Sequence, residues 1–457
     1  KTRQTMADVD AIMASAPNTA ISKETAEVRV KFFTRLERYA IPDVPIAVPV
    51  RLRRVHLSQM VNHLLQLDET KQFDFLVKGE FLRTDLAKLI EENGMYTEEI
   101  IPVEFVETMV PPQPPHDFPH EDWVSSIAGR ADGYCLTGCY DNASRLWNSS
   151  GEIVATLTGH TAPVKDVAWI PMESLDGFRC VTASQDEALM LWSINPSTRT
   201  SVCLNVCTGH QNEVSAVAVQ PTGKMFASGS VDKSIRLWST EPDTNDPEDT
   251  TGKRTSKRRK VKVQGTKEEV SIKRPVGRLS GSNGAIHSLV WSSREHLFSS
   301  GEDHSIRMWD VEMARCLHLL NSGKVSNCIR HSNLNNLLAS GDFDGGIRLY
   351  DARVDQPNVV KITLSSHRQA CSAVDWSPDN EFQLVSGSYD DAQNNVKLWD
   401  IRSRRIPIHN IEGPTEKVLA VDWTKSTSIL TGGADGQLRV SVCWCVVCIL
   451  VRVCVSV

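Results

Sequence analysis

The chain lacks a run of about 20 apolar residues, the length that a membrane helix needs. Its nearest approach, residues 440–457, is short, rich in β-branched residues and broken by Arg452, so no membrane span is expected. No apolar leader-type segment opens the sequence. An excess of positive charge is also missing: 50 Lys and Arg stand against 56 Asp and Glu, for a net charge of −6. Proteins that bind nucleic acid by bulk electrostatics are usually basic, so any RNA contact here must be local. There is no Walker loop, no H-E-x-x-H, no nucleophile elbow and no dinucleotide fingerprint, which leaves an enzymatic reading without a motif. The eight cysteines from Cys135 to Cys371 form no C-x2-C pair and no disulfide framework. They read as the reduced, buried cysteines of an intracellular protein.

What the chain does have is size and a repeat. Its 457 residues, 40% hydrophobic and 23% charged, suffice for two or three globular domains. Residues 120–442 are dominated by segments ending in an aromatic residue: GCYDNASRLW, SQDEALMLW, GSVDKSIRLW, GEDHSIRMW, GDFDGGIRLY and GSYDDAQNNVKLW. An Asp stands six residues before the aromatic in five of them: Asp141 before Trp147, Asp186 before Trp192, Asp232 before Trp238, Asp303 before Trp309, and Asp344 before Tyr350. In the sixth, Asp390 precedes Trp399 by nine residues, and a weaker seventh copy surrounds Asp435. Successive Asp residues lie 45, 46, 71, 41, 46 and 45 residues apart. A period of about 40–45 is that of a four-stranded propeller blade.

These segments resemble the WD40 family. Gly159-His160 and Gly209-His210 open repeats, and Trp309-Asp310 and Trp399-Asp400 carry the family dipeptide. Gly281-Ser282 and Gly413-Pro414 depart from the Gly-His pattern. The Asp belongs in a tight turn, where its carboxylate accepts backbone N–H groups. The resemblance adds that it holds the His of the Gly-His turn, while the Trp packs between blades. Seven copies at one period cannot all be active sites, so these residues are expected to be structural. The seventh copy needs a fourth strand, from the tail or from the chain just before Trp123. If the tail is foreign to the fold, that blade is the one expected to fold poorly.

The 71-residue interval holds an insertion, residues 240–275, with no evident hydrophobic period. It starts acidic and then turns basic, with Lys253, Arg254, Lys257, Arg258, Arg259, Lys260 and Lys262 within eleven residues. It is expected to be a disordered rim loop. The basic run reads first as a nuclear import signal and second as an RNA contact, with a merely solvated loop as the bland alternative.

Residues 26–107 differ in character. AEVRVKFFT and VPIAVPV read as strands, and RVHLSQMVNHLLQL as a helix with Val55, Met60, Leu64, Leu65 and Leu67 on its apolar face. FDFLV and EFLRT are short strands, LAKLI a helical turn and IPVEFVE a last strand. The order is that of a ubiquitin-like roll, α+β in class, ahead of an all-β, seven-bladed WD40 propeller. Residues 108–119, rich in proline, read as a stiff spacer. Residues 1–25 are expected to be disordered. Residues 443–457, with Cys443, Cys445, Cys448 and Cys454, read as an aberrant tail from an altered frame or an unspliced segment. Met6, after the opening Lys1, reads as a start residue.

Taken together, FDFLVKGEFLRTDL, the Pro-rich spacer, HEDWVSSI and WD repeats with a basic insertion after the third resemble the family of WD-repeat subunits of the PeBoW ribosome-biogenesis complex. The likeness spans roughly residues 26–440. It implies a scaffold of large-subunit (60S) assembly and pre-rRNA processing, located in the nucleolus and nucleoplasm. It implies a propeller that binds the block-of-proliferation subunit, which carries Pescadillo, on pre-60S particles. It further implies a ubiquitin-like domain gripped by the AAA ATPase midasin through a divalent cation, Mg, that midasin holds. The chain itself is expected to carry no cofactor. Hard cations take oxygen ligands, and alignment on the last strand assigns the acidic ligand to Glu98, with Glu99 its neighbour and Glu91 and Glu92 close by. Notchless, which has a longer propeller, is the nearest rival family, and a WD40 adaptor for a ubiquitin ligase is a rival of another kind.

Overall fold

The computed structural model describes residues 27–67, 70–96, 99–109, 111–112, 116–171, 177–241, 258–263, 266–351, 360, 362–365, 367–390, 395–425 and 428–442. Two compact units result, an N-terminal domain and a larger all-β unit that begins at Pro111.

In the N-terminal domain, alternation of charged and apolar residues drives Val28, Val30 and Phe32 inward from β1 (Glu27–Phe33). There follow β2 (Ile46–Pro49), α1 (Arg54–Leu65), β3 (Phe73–Val77), β4 (Glu80–Phe81), α2 (Leu86–Glu92) and β5 (Ile101–Glu107). The sheet order is β2-β1-β5-β3-β4, with β1 parallel to β5 and the other pairs antiparallel. This is the ubiquitin-like roll. Between β3 and β4, Lys78 (φ +49) and Gly79 (φ +83) both take left-handed backbone, as a two-residue hairpin turn matched to strand twist requires. The face of α1 differs from expectation. Leu57, Met60 and Val61 are buried, with Leu64, Leu65 and Leu67 packed against the same core. Val55 is 58% exposed. The spacing 57, 60, 61, 64 is the stripe one helix face presents, and Val55 falls off it.

The larger unit consists of seven sheets among the described residues. Each begins with an innermost strand. In blades 1 to 7 these are Val124–Gly129, Val164–Ile170, Val214–Val219, Ile286–Trp291, Ser326–His331, Cys371–Trp376 and Val418–Lys425. Each innermost strand packs on the next, and the seventh packs on the first, so the ring closes. Three further antiparallel strands follow outward in every blade. The third strand carries the repeat aromatic. Trp192, Trp238, Trp309 and Trp399 are fully buried. Each packs in a core shared with the preceding blade: Trp192 with Leu136 and Leu157, for example, and Trp238 with Val181 and Leu191.

Blade 7 takes its fourth strand from the segment expected to be a spacer. His116–Pro119 runs antiparallel to Gln437–Val442, pairing Phe118 with Leu438 and Asp117 with Arg439. The spacer as expected therefore ends too late, and the propeller starts before residue 120. Proline tolerates this placement because the outermost strand of a blade is an edge, where a missing N–H disturbs no ladder. Phe118 also stacks on Trp147 of blade 1, ring centroids 5.7 Å apart. Gly151 (φ +81) lies so close to that ring that a Cβ there would overlap it.

The insertion is not structureless throughout. Arg258–Val263 and Thr266–Lys273 pair as an antiparallel hairpin. The second of these strands joins blade 2, running parallel to its outer strand Thr200–Thr208. Val270 is buried in the blade 1–blade 2 core. Charge hides the signal in sequence, but the V-S-I alternation from Val270 to Ile272 supplies a strand once blade 1 offers an apolar wall. Lys253, Arg254 and Lys257, like residues 1–25, Glu98 and the tail, lie outside the described residues.

Candidate partner-binding surfaces and the buried polar ladders

The repeat Asp does in every described turn what its position demands. Oδ1 of Asp141, Asp186, Asp232, Asp303, Asp344 and Asp435 accepts the N–H two residues on, at 2.9–3.2 Å. The intervening residue is left-handed each time: Asn142, Glu187, Lys233, His304, Gly345 and Gly436. The carboxylate therefore caps a turn that side chains other than Gly and Asn enter at a cost.

In blades 2, 3 and 6 that carboxylate begins a buried ladder. The Trp238 indole N–H donates to Ser228 Oγ at 2.9 Å, Ser228 lies 2.7 Å from His210 Nε2, and His210 Nδ1 lies 2.9 Å from Asp232. Trp192, Thr182, His160 and Asp186 repeat the order, as do Trp399, Ser386, His367 and Asp390. One proton arrangement satisfies every group: the hydroxyl donates to Nε2, and Nδ1–H donates to the carboxylate. Burial favours the neutral ring of His210 and His367, lowering the first and, with Lys397 nearby, holding the second at about 4. Burial would raise the Asp232 carboxyl, but hydrogen bonds from Ser234, His210 and the Gln211 N–H outweigh it and bring it to about 2.

Ser228, His210 and Asp232 have the connectivity of a hydrolytic triad. The serine is nevertheless wholly buried, and its oxygen already receives the Trp238 N–H. No carbonyl can approach it, and the same holds in blades 2 and 6.

Two ladder histidines escape the Gly-His signature. His367 follows Ser366, and His120 follows Pro119. His120 reaches Thr137 at 2.9 Å, which also takes the Trp147 N–H, but its other nitrogen meets the Phe118 carbonyl instead of Asp141. Burial lowers His120 to about 4. Asp141 is left to Arg145, four residues on. Asp303 with Arg307, Asp344 with Arg348 and Asp435 with Arg439 follow the same rule. Where a blade has no His to offer its Asp, an arginine at i+4 supplies the counter-charge.

Among the described residues no group of three His, Cys, Asp or Glu is arranged to hold a metal, and no helix is long and apolar enough to cross a membrane. Of the described cysteines, Cys316 is exposed and seven are buried, all as free thiols. In the N-terminal domain the loop between α2 and β5 carries the acids. Its described members include Glu99, exposed, with Tyr96 73% and Ile100 48% exposed beside it. Of the basic run, Arg258, Arg259, Lys260 and Lys262 lie on the hairpin's outer strand.

Comparison with known families agrees with both units. Residues 28–90 match the NLE (NUC135) domain, and residues 113–148, 151–193, 201–239 and 405–440 match the WD domain, G-beta repeat. The first of these repeat matches takes in the closing strand His116–Pro119. Residues 266–413, which are propeller blades here, match the family described as eukaryotic translation initiation factor eIF2A. Along nearly the whole chain the similarity is to proteins called ribosome biogenesis protein WDR12 homolog. That of Nematostella vectensis is 36% identical over 91% of this chain and 99% of its own length. Those of Drosophila persimilis (37%; 91% and 95%) and Anopheles gambiae (36%; 92% and 96%) are alike. The chain belongs to the WDR12 family of ribosome biogenesis proteins. This membership agrees with the resemblance drawn from the ubiquitin-like and WD segments.

Proposed function

We propose that this member of the ribosome biogenesis family is a non-catalytic scaffold in assembly of the large subunit, working in the nucleolus and nucleoplasm. Its propeller engages the block-of-proliferation subunit and, through it, Pescadillo. Its ubiquitin-like domain presents Glu98 as an oxygen ligand to a Mg ion held by midasin, so that ATP-driven pulling releases the complex from pre-60S particles. The chain brings no cofactor of its own. The observation that carries this reading is the pairing of a ubiquitin-like roll with a closed propeller over the span shared with WDR12 homologues. A scaffold also suits the buried ladders, whose Ser, His and Asp groups have no access to a substrate. A hard cation with one open position takes a carboxylate oxygen readily. The test is Glu98→Ala in the full chain, with pull-down of midasin in the presence of Mg and of chelator. Loss of the Mg-dependent fraction, with block-of-proliferation binding retained, is the expected result. Full midasin binding by the variant would remove Glu98 from the reading.

A further inference from the structure

We propose that the ubiquitin-like domain carries a second docking site, a pocket beside α1 that takes an acidic peptide of a partner protein bearing an apolar side chain. The pocket lies between α1 and the segment that leads into β3, and its volume is about 550 Å³. That is within the size range of sites that enclose a ligand. Hydrogen bonds between the helix and the segment fix its walls. Asn62 Nδ2 donates to the carbonyls of Ser58 and Lys71, at 2.7 and 2.6 Å, and the Lys71 N–H donates back to Asn62 Oδ1 at 2.8 Å. The Phe73 N–H donates to Ser58 Oγ at 3.0 Å. These bonds hold the segment against the helix, so the pocket is formed before any ligand arrives.

The lining sets what the pocket can take. Arg54, His63 and Lys71 belong to it, and among the described residues no carboxylate does. Acids outside the pocket steady two of these groups from behind. Asp74, almost wholly buried, holds Arg54 at 2.9 Å, and Lys71 meets Glu107 at 3.7 Å and the Tyr39 hydroxyl at 2.9 Å. The bond to Tyr39 raises the Lys71 pKa against the effect of burial, so the ammonium stays charged. A guanidinium has five donors and an ammonium three, so each keeps donors to spare. His63 adds an unmet demand. Its Nε2 is shut off from water and has no hydrogen-bond partner among the described residues. An unpaired buried nitrogen is costly. The second torsion of a histidine side chain is loosely held, so the ring can turn Nε2–H outward to meet an acceptor that a ligand brings.

The same pocket offers apolar surface. Val55, off the core stripe of α1 and 58% exposed, lines it together with the partly buried Leu67. Donors in want of acceptors beside an aliphatic rim match a carboxylate beside an aliphatic side chain, which an acidic peptide presents. Single-stranded RNA fits less well. Base stacking needs an open ring, and Phe73, the aromatic residue in the lining, is fully buried. The inference goes beyond the midasin reading and does not rest on Glu98. Phe73 pairs with Glu107, at the far end of β5 from the loop that precedes Ile101. Six steps along a strand span about 20 Å, so the two sites leave each other free.

The test uses the full chain and a fluorescein-labelled peptide of alternating Glu and Leu, with binding followed by anisotropy. Saturable binding below about 1 mM is expected. His63→Leu should weaken it about 10-fold, the worth of one hydrogen bond to a charged group. Without peptide the same variant should keep or raise the melting temperature, because an apolar group replaces an unpaired polar one. Val55→Glu changes an exposed residue and should leave the melting temperature alone. It should weaken binding at least about 5-fold, through lost apolar contact and an added like charge. This variant decides the matter if His63→Leu does not fold. Wild-type affinity in both variants would overturn the proposal. An alternating Gln and Leu peptide that binds as tightly would make the site merely apolar, and oligouridine that competes as well would make it an RNA contact, and either result overturns it. So would binding that appears only after Asp68→Asn/Glu69→Gln, which would make the chain's own connection the occupant.

Discussion

Acid should loosen the propeller through its ladder histidines, and His367 sets the scale. Its side chain is fully buried between Ser386 and Asp390. Burial first, and Lys397 second, hold it at about 4 in the folded chain, against roughly 6.5 for an ordinary imidazole. Between those values the unfolded chain binds the extra proton. Stability from keeping the ring neutral is therefore whole above about pH 6.5 and is lost as pH falls toward 4. Going from about pH 7 to pH 5, a ring with these two values forfeits about 2 kcal/mol. His120, also held at about 4, acts in the same direction. The assay is urea unfolding followed by tryptophan fluorescence at pH 7, 6 and 5, on the wild type and on His367→Asn. Asparagine can still donate to Asp390, but it does not titrate. Wild type should lose about 2 kcal/mol more than the variant over this range. Identical pH dependence in the two proteins would refute the claim that this ring is held neutral by burial.

Further outcomes follow from the same contacts. Ser386→Ala leaves the Trp399 N–H and His367 Nε2 buried without their shared partner, and should cost about 2–6 kcal/mol at about 1–3 per orphaned group, read as a fall in the urea midpoint at unchanged slope. Phe118→Ala removes a half-buried ring from Trp147 and Leu438 and should destabilise by about 2 kcal/mol, with limited proteolysis opening first near residue 116. Burial, and then the neighbouring Asp422, raise the pKa of Asp375 to about 7, so the folded chain loses stability as pH rises from about 4, where the unfolded carboxyl ionises, through about 7. Asp375→Asn, which can still accept the Trp423 backbone N–H, should raise the melting temperature most at pH 8 and progressively less as pH falls toward 4.

How much of this was readable in sequence depended on whether a signal was local. The Asp-to-Trp spacing is a property of one turn and one strand, so six repeats stood out. Insertion next to Asp390 did not hide the sixth because the turn residue and the aromatic both survive. His367 and His120 carry no Gly before them, and only the fold shows that they fill the ladder position. Of two strands whose reasons lie elsewhere in the chain, one was expected only as an alternative source for blade 7 and the other was missed. His116–Pro119 looks like a spacer until Gln437–Val442 offers it an edge, and the basic hairpin looks solvated until blade 1 covers Val270. On α1, choosing Val55 over Leu57 and Val61 was an error of phase, made where apolar residues flank both sides of the true stripe. The carboxylate of Glu98 and the import-or-RNA choice were never matters of pattern. They concern partners, and a partner leaves no periodicity.

Ring closure has a consequence in time. Phe118 is made early and Leu438 late, with about 320 residues between them, and bringing such distant segments together costs roughly 5 kcal/mol of chain entropy. No shorter nascent chain can complete blade 7. Until residues 437–442 leave the ribosome that synthesises them, Phe118, Trp147 and the inner faces of blades 1 and 7 stay open to whatever binds apolar edges. A chain truncated before that point would be recognisable by this open seam, and the propeller would serve as its own check that translation had run far enough.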